Sequence, residues 1–119
     1  MRTRLPKQRV QTREETLRRL REALPALRER YGVQRLALYG SFARGAPHAR
    51  SDVDIIVQLE RPLGLRIAAL RHELEQMLGR RVDLATMNTL LRALQSSQMH
   101  KRRIAERVFS ELEDVQEAI

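Results

Sequence analysis

One stretch, Leu36 to Val57 (LALYGSFARGAPHARSDVDIIV), constrains this chain more than any other. It holds an apolar run, a Gly-Ser turn, a short polar loop and a second apolar run carrying two aspartates. Brief apolar or β-branched runs bounded by Gly and Pro fit strands better than helices, so 36–39 and 53–57 are read as two buried strands. Side chains alternate along a strand, so Asp52 and Asp54 point one way while Val53 and Ile55 point into the core.

Two carboxylates on one face repel and raise each other's pKa, so such a pair persists most readily with a cation between them. Hard oxygen ligands at a partly open site suit Mg²⁺, which completes its shell with water and substrate phosphates. Gly40 and Ser41 close the first strand just ahead of a short helix expected over 42–45. A glycine admits close approach of backbone to phosphate, and amides opening a helix offer donors to an anion. Each feature alone has a plain structural reading: Gly-Ser after a strand is usually a turn, and Asp-x-Asp at a strand end is usually a solvated edge. Their conjunction changes the weighing.

Gly40-Ser41, ten intervening residues, and Asp52-Val53-Asp54 followed by Ile-Ile-Val resemble the GS-x10-DxD signature of the DNA polymerase β-like nucleotidyltransferase superfamily. The resemblance covers roughly residues 13 to 109. It implies an α/β (α+β) fold, a small mixed β-sheet of three or four strands with helices packed mainly on one face. It also implies a third carboxylate from a later strand, a place that Asp83 in Arg81-Val82-Asp83-Leu84 fits. Alone, an aspartate flanked by arginines reads as a surface ion pair; beside Asp52 and Asp54 it becomes a third ligand or a base. In length and pattern the chain is most similar to the minimal nucleotidyltransferases, the MntA-type antitoxins paired with HEPN-domain toxins.

That resemblance implies a two-metal Mg²⁺ site on Asp52, Asp54 and Asp83, ATP as donor, and a tyrosine hydroxyl of a HEPN toxin as acceptor. Asp83 would share the second metal and help remove the acceptor proton, and pyrophosphate would leave. Gly40 and Ser41 would cradle the β/γ phosphates. Arg44 is either a phosphate contact or a surface arginine, and Ser51 either bonds phosphate or caps its turn. Two rivals stand beside this reading: nucleotidyl transfer to a small molecule or nucleic-acid end, and a non-catalytic antitoxin acting by occlusion. Three convergent carboxylates exceed what pure binding needs.

At 119 residues the chain is expected to form one domain over 13–112, between a basic arm at 1–12 and an acidic tail at 113–119. It has no cysteine and no apolar run of membrane-spanning length or signal-peptide kind, so a soluble cytoplasmic protein without disulfides is expected. The net charge of +8 permits nucleic-acid binding without favouring it, because aromatic residues make up only 3% of the chain. Three of its four aspartates are Asp52, Asp54 and Asp83, against eleven glutamates, which is consistent with short carboxylates kept for a site.

Around the motif the chain punctuates itself. Thr12 with Glu15 forms a capping box for a helix over 13–31, kinked or restarted near Leu24 by Pro25 and closed by Gly32. Arg61 to Gly64 makes a linker, either a lid or a turn. Leu63, Ile67, Leu70, Leu74 and Leu78 then form a stripe for a helix over 64–78, ended by Gly79. Val82 to Leu84 is a third strand. Asn88 is expected to cap a short helix through Leu94, and Ser96-Ser97 to separate it from a last helix bearing Met99, Ile104, Val108 and Leu112. The arm is expected to be mobile and the tail frayed.

Overall fold

The structure is a computed structural model and describes residues 8–115. Helix α1 (Arg13–Tyr31) leads into strand β1 (Val33–Tyr39), the one-turn helix α2 (Gly40–Ala43) and strand β2 (Val53–Leu59). Helix α3 (Arg66–Leu78) crosses over to β3 (Val82–Thr86), which runs straight into α4 (Met87–Leu94). Helix α5 (Met99–Ser110) and the two-residue strand β4 (Glu113–Asp114) complete the fold. The sheet order is β3-β2-β1-β4, with β2 and β3 parallel and the other pairs antiparallel. This is the small mixed sheet that the sequence implied.

Alternation along β1 and β2 sorts their side chains onto two faces. Leu36, Leu38, Val53, Ile55 and Val57 are buried in the main core with Leu20, Leu24 and Leu27 of α1 and Leu70, Leu74 and Leu78 of α3. Full burial of each such side chain is worth about 1.5–3 kcal/mol. On the other face Ile56 packs with Met87, Leu90 and Ala105 of α4 and α5 in a smaller cluster. The larger helices therefore share one face, and α4 and α5 cover only part of the other.

The first helix forms as its sequence dictates. Thr12 Oγ1 accepts from the Glu15 N–H at 3.1 Å, and Glu15 Oε1 accepts from the Gln11 N–H at 2.9 Å, so the box closes one residue early. Pro25 causes no restart: α1 runs through it as one element, since tertiary burial of Leu24 and Leu27 on either side outweighs one lost hydrogen bond. Helix α4 is capped by Thr86, whose hydroxyl accepts from the Thr89 N–H at 3.2 Å, while Asn88 lies exposed in the first turn. Strand β3 reaches further than expected and leaves Thr86 in the extended conformation a cap requires.

Both ends of the described chain differ from expectation. Val10 is fully buried in the main core, and its N–H donates to the Leu78 carbonyl at 3.0 Å, so 8–11 are docked rather than mobile. The rest of the expected arm, 1–7, lies outside the described residues. Glu113 and Asp114 are not frayed but pair with Leu38 and Ala37 as β4. Arg35 Nε donates to Asp114 Oδ1 at 2.8 Å, and Val115 is buried with its N–H on the Leu36 carbonyl at 2.9 Å. Residues 116–119 of the expected tail lie outside the described residues. No helix among those described is long and apolar enough to cross a membrane.

Candidate active site

The sheet register builds the site. Tyr39 stands opposite Asp54 in the antiparallel β1–β2 ladder, and Asp83 stands beside Asp54 in the parallel β2–β3 ladder. Register partners on neighbouring strands share a face, so Tyr39, Asp54 and Asp83 form one row on the face away from the main core. Asp54 is half-buried, whereas Asp83 and Asp52, which immediately precedes β2, are exposed.

The charges in this row act on one another. Burial pushes the Asp54 carboxyl up from 3.8 to about 6, and the carboxylates of Asp83 and then Asp52 add to the rise, with Arg44 opposing it. Burial likewise raises the Tyr39 phenol, and Asp83 and Asp54 raise it further. Negative charge thus converges on Asp54. A divalent cation relieves such an excess, and carboxylate oxygens are the donors Mg²⁺ takes. Among the described residues no three His, Cys, Asp or Glu side chains, the Asp52, Asp54 and Asp83 set included, are gathered closely enough to hold a metal ion together. The carboxylate donors suit Mg²⁺ only at an open site, where one or two of them leave room for phosphate and water.

Gly40 follows β1 at once and opens α2, two residues earlier than the helix was expected. Its φ is +71°, and a Cβ built there would lie 2.2 Å from Asp54 Oδ2. Glycine is needed here to make space for the Asp54 carboxylate, a different reason from the close approach to phosphate that the sequence reading gave it. Ser41 is half-buried beside it, and its carbonyl accepts from the Ala46 N–H at 2.9 Å, closing the turn. Arg44 is exposed and tethered to Glu111 Oε2 at 3.2 Å, within reach of the Asp54 field. Ser51 caps its turn: its Oγ accepts from the His48 N–H at 2.8 Å.

Sequence reasoning missed Arg80. It is buried, its Nε donates to the Val10 carbonyl at 2.6 Å, and its Nη1 reaches the carbonyls of His48, Ala49 and Ser51 at 3.1–3.2 Å. Its guanidinium also lies 5.0 Å from the Phe42 ring centroid. One side chain therefore ties together the loop that presents Asp52, the helix that carries Gly40 and Ser41, and the docked N-terminal segment. Burial lowers its pKa, and Arg9 lowers it further. Nothing in the Arg80-Arg81 pair tells which arginine turns inward.

On the β3 side of the row a polar groove of about 370 Å³ is lined by Asp52, Arg71, Glu75, Arg81, Val82 and Asp83. A larger one of about 640 Å³, between the 57–67 segment and α4, lies at the opposite end of the strands and contains none of the carboxylates.

Comparison with known proteins bears on this geometry. Residues 20–108 match the model of the nucleotidyltransferase domain family. The protein adenylyltransferase MntA of Thermococcus cleftensis is 45% identical over 65 residues, or 54% of this chain and 66% of that protein. The match therefore spans just under two thirds of that relative's length. A solved structure described as a candidate minimal nucleotidyltransferase superposes with a TM-score of 0.61 at 34% identity, over 87% of this chain and 95% of that one. A chain of the solved complex of tri-AMPylated Shewanella oneidensis HEPN toxin with MNT antitoxin matches with a TM-score of 0.56 over 90% of this chain and 74% of that one. At 17% identity that last likeness carries the fold alone.

Proposed function

Because the chain belongs to the nucleotidyltransferase domain family, we propose that it moves AMP from ATP to a tyrosine hydroxyl of a HEPN-type toxin, acting as that toxin's antitoxin. The observation that carries this is the row in which Asp54 stands between Tyr39 and Asp83, with Gly40 leaving space for its carboxylate. Support for the acceptor class comes from the adenylyltransferase relative and from the AMPylated toxin complex of like fold.

In this reading Gly40, Ser41 and Arg44 place the triphosphate on the β1 side of Asp54. Arg44 exchanges its exposed Glu111 contact for phosphate, an exchange that costs little because surface ion pairs are worth about 0–1 kcal/mol. Asp52 and Asp54 would hold Mg²⁺, which when bound offsets charge on the phosphate oxygens. Asp83, one strand over and exposed, takes the proton of the acceptor hydroxyl. The acceptor oxygen bonds to the α-phosphorus, the bond to the bridging α–β oxygen breaks, and pyrophosphate departs with that electron pair. Burial of Asp54 among carboxylates suits it to hold a divalent cation, whose charge would offset its own.

The test is mass spectrometry of the protein incubated with ATP, Mg²⁺ and a HEPN protein from the same genome. The expected product is the HEPN protein heavier by AMP on tyrosine, and its loss in Asp52→Asn with Asp54→Asn. Neutralisation of the toxin by that double variant would replace catalysis with occlusion; AMP on RNA ends with the HEPN protein untouched would replace the acceptor.

A further inference from the structure

The groove beside Asp83 holds two cations that the site as described does not use. Arg71 projects from α3 and Arg81 precedes β3; both are exposed, and neither side chain makes a hydrogen bond or ion pair with any described residue. Between them Glu75 is spoken for, since its Oε2 accepts from the Val82 N–H at 3.0 Å. An arginine without an anion keeps all its donors for a ligand, and its planar fork matches a carboxylate.

Topology says which substrate would meet them. Gly40, Ser41 and Arg44 lie at the β1 end of the row, and Asp83, Arg71 and Arg81 lie at the β3 edge, with Asp54 between. In-line displacement requires the attacking and leaving oxygens on opposite sides of the α-phosphorus. With the triphosphate toward Gly40, the acceptor must enter from the β3 edge and pass these arginines. We infer that Arg71 and Arg81 select an acceptor whose hydroxyl is flanked by an acidic side chain, a carboxylate lying between the two guanidiniums.

The lining argues for a single carboxylate on a protein rather than for a nucleic acid. Arg71 and Arg81 are the two cations of a groove otherwise lined by Asp52, Glu75 and Asp83, so an anion is received only where it touches the guanidiniums directly, as one carboxylate can and an extended polyanion cannot. No aromatic side chain lines the groove to stack a base. The inference rests on the proposed transfer reaction and adds to it a rule for choosing acceptors.

The experiment offers the full chain, with ATP and Mg²⁺, tyrosine peptides of one length flanked by Glu, by Gln or by Lys, together with a short oligoadenylate bearing a free 3′-hydroxyl. AMP incorporation gives kcat/KM for each. The Glu-flanked peptide is expected to exceed the Gln-flanked one by about tenfold, in keeping with one charge-assisted hydrogen bond, with the Lys-flanked peptide last. Arg71→Glu with Arg81→Glu should reverse that order while leaving the Kd for AMP-PNP unchanged, an inversion that loss of folding cannot produce. Arg71→Gln with Arg81→Gln should flatten it. Equal use of all peptides, preference for oligoadenylate, or an order unmoved by charge reversal would overturn the inference while leaving the transfer reaction standing. Absence of AMP on any acceptor, the HEPN protein included, would remove the reaction and the inference with it.

Discussion

The two faces of the sheet are made from the same seven residues of β2, yet one is an interior and the other a workplace. Val53, Ile55 and Val57 are fully buried against α1 and α3. Asp54, between two of them in sequence, stands on the opposite face with Asp83 and Tyr39, where α4 and α5 cover Ile56 and pack partly against Tyr39 and Ala85. The core face is saturated with contacts and gains nothing from a ligand. The other face carries unbalanced charge, which a bound cation would offset. A strand's period of two allows both demands to be met without compromise, because each residue answers to one face only.

The sharpest way to break this contrast is to neutralise the working face. Asp54→Asn should lower transfer by more than about a hundredfold, since even groups that merely orient a metal ligand matter 10–100-fold. The same variant should raise the melting temperature of the metal-free protein at neutral pH, because it removes a repelled carboxylate. A variant with near-normal turnover would sink the assignment of Asp54 to the metal.

The mirror experiment hollows the core face. Ile55→Ala, one residue along, should cost about 2–5 kcal/mol in a denaturant titration through the cavity it leaves. At a denaturant-free temperature well below its transition, kcat should change little. Comparable damage to kcat in the folded variant would mean that the two faces are mechanically coupled.

A smaller effect is expected at Gly40. Gly40→Ala forces the positive φ at a cost of about 1 kcal/mol and drives a methyl into the Asp54 carboxylate. Transfer should fall by about tenfold or more. Ser41→Ala, by contrast, removes one hydroxyl worth about 0.5–1.5 kcal/mol if its partner is neutral. Calorimetric titration with AMP-PNP ranks the two, and unperturbed affinity in both would take the turn out of nucleotide binding.

The smallest effect is in pH. The Asp54 carboxyl in the folded chain sits at about 6, above its ordinary 3.8, so folding favours its protonated form. Its contribution to stability is fully present below 3.8 and is lost as pH rises through about 6. The melting temperature of the metal-free wild type should therefore fall between pH 5 and pH 7 relative to that of Asp54→Asn, by a few degrees. Mg²⁺ should stabilise the wild type more at the upper end, because metal and proton compete for the same oxygens. Parallel pH profiles for the two proteins would contradict the origin assigned to the shift.

The local signals in the chain were easy to read and the long-range ones were not. The leucine spacing of α1 and α3 and the Asp-x-Asp alternation report on neighbours a few residues away, and the structure places Asp54 and Asp83 in register on the face the alternation indicates. Strand β1 begins at Val33 rather than Leu36 because Gln34 and Arg35 break the apolar pattern, although Val33 and Arg35 still pair with Leu59 and Gln58 of β2 across a register shift at Gln34. Val10 and Arg80 were illegible for a stronger reason. Their burial comes from partners about 70 residues apart in sequence, brought together only by the completed fold. Gly40 was legible as a glycine that mattered, but its reason, the Asp54 carboxylate, was visible only once β1 and β2 were paired.

The parallel register of β2 and β3 also limits how the gene can change length. Asp83 shares a face with Asp54 only while the count of residues from Gly79 to Val82 stays fixed, because a slip of one residue would turn Asp83 inward and bring Leu84 out beside Asp54. The exposed 60–62 segment ahead of α3 carries no such constraint. Insertions and deletions accumulated over descent should therefore gather before α3 and be purged after it, so that two short segments flanking the same helix record opposite histories.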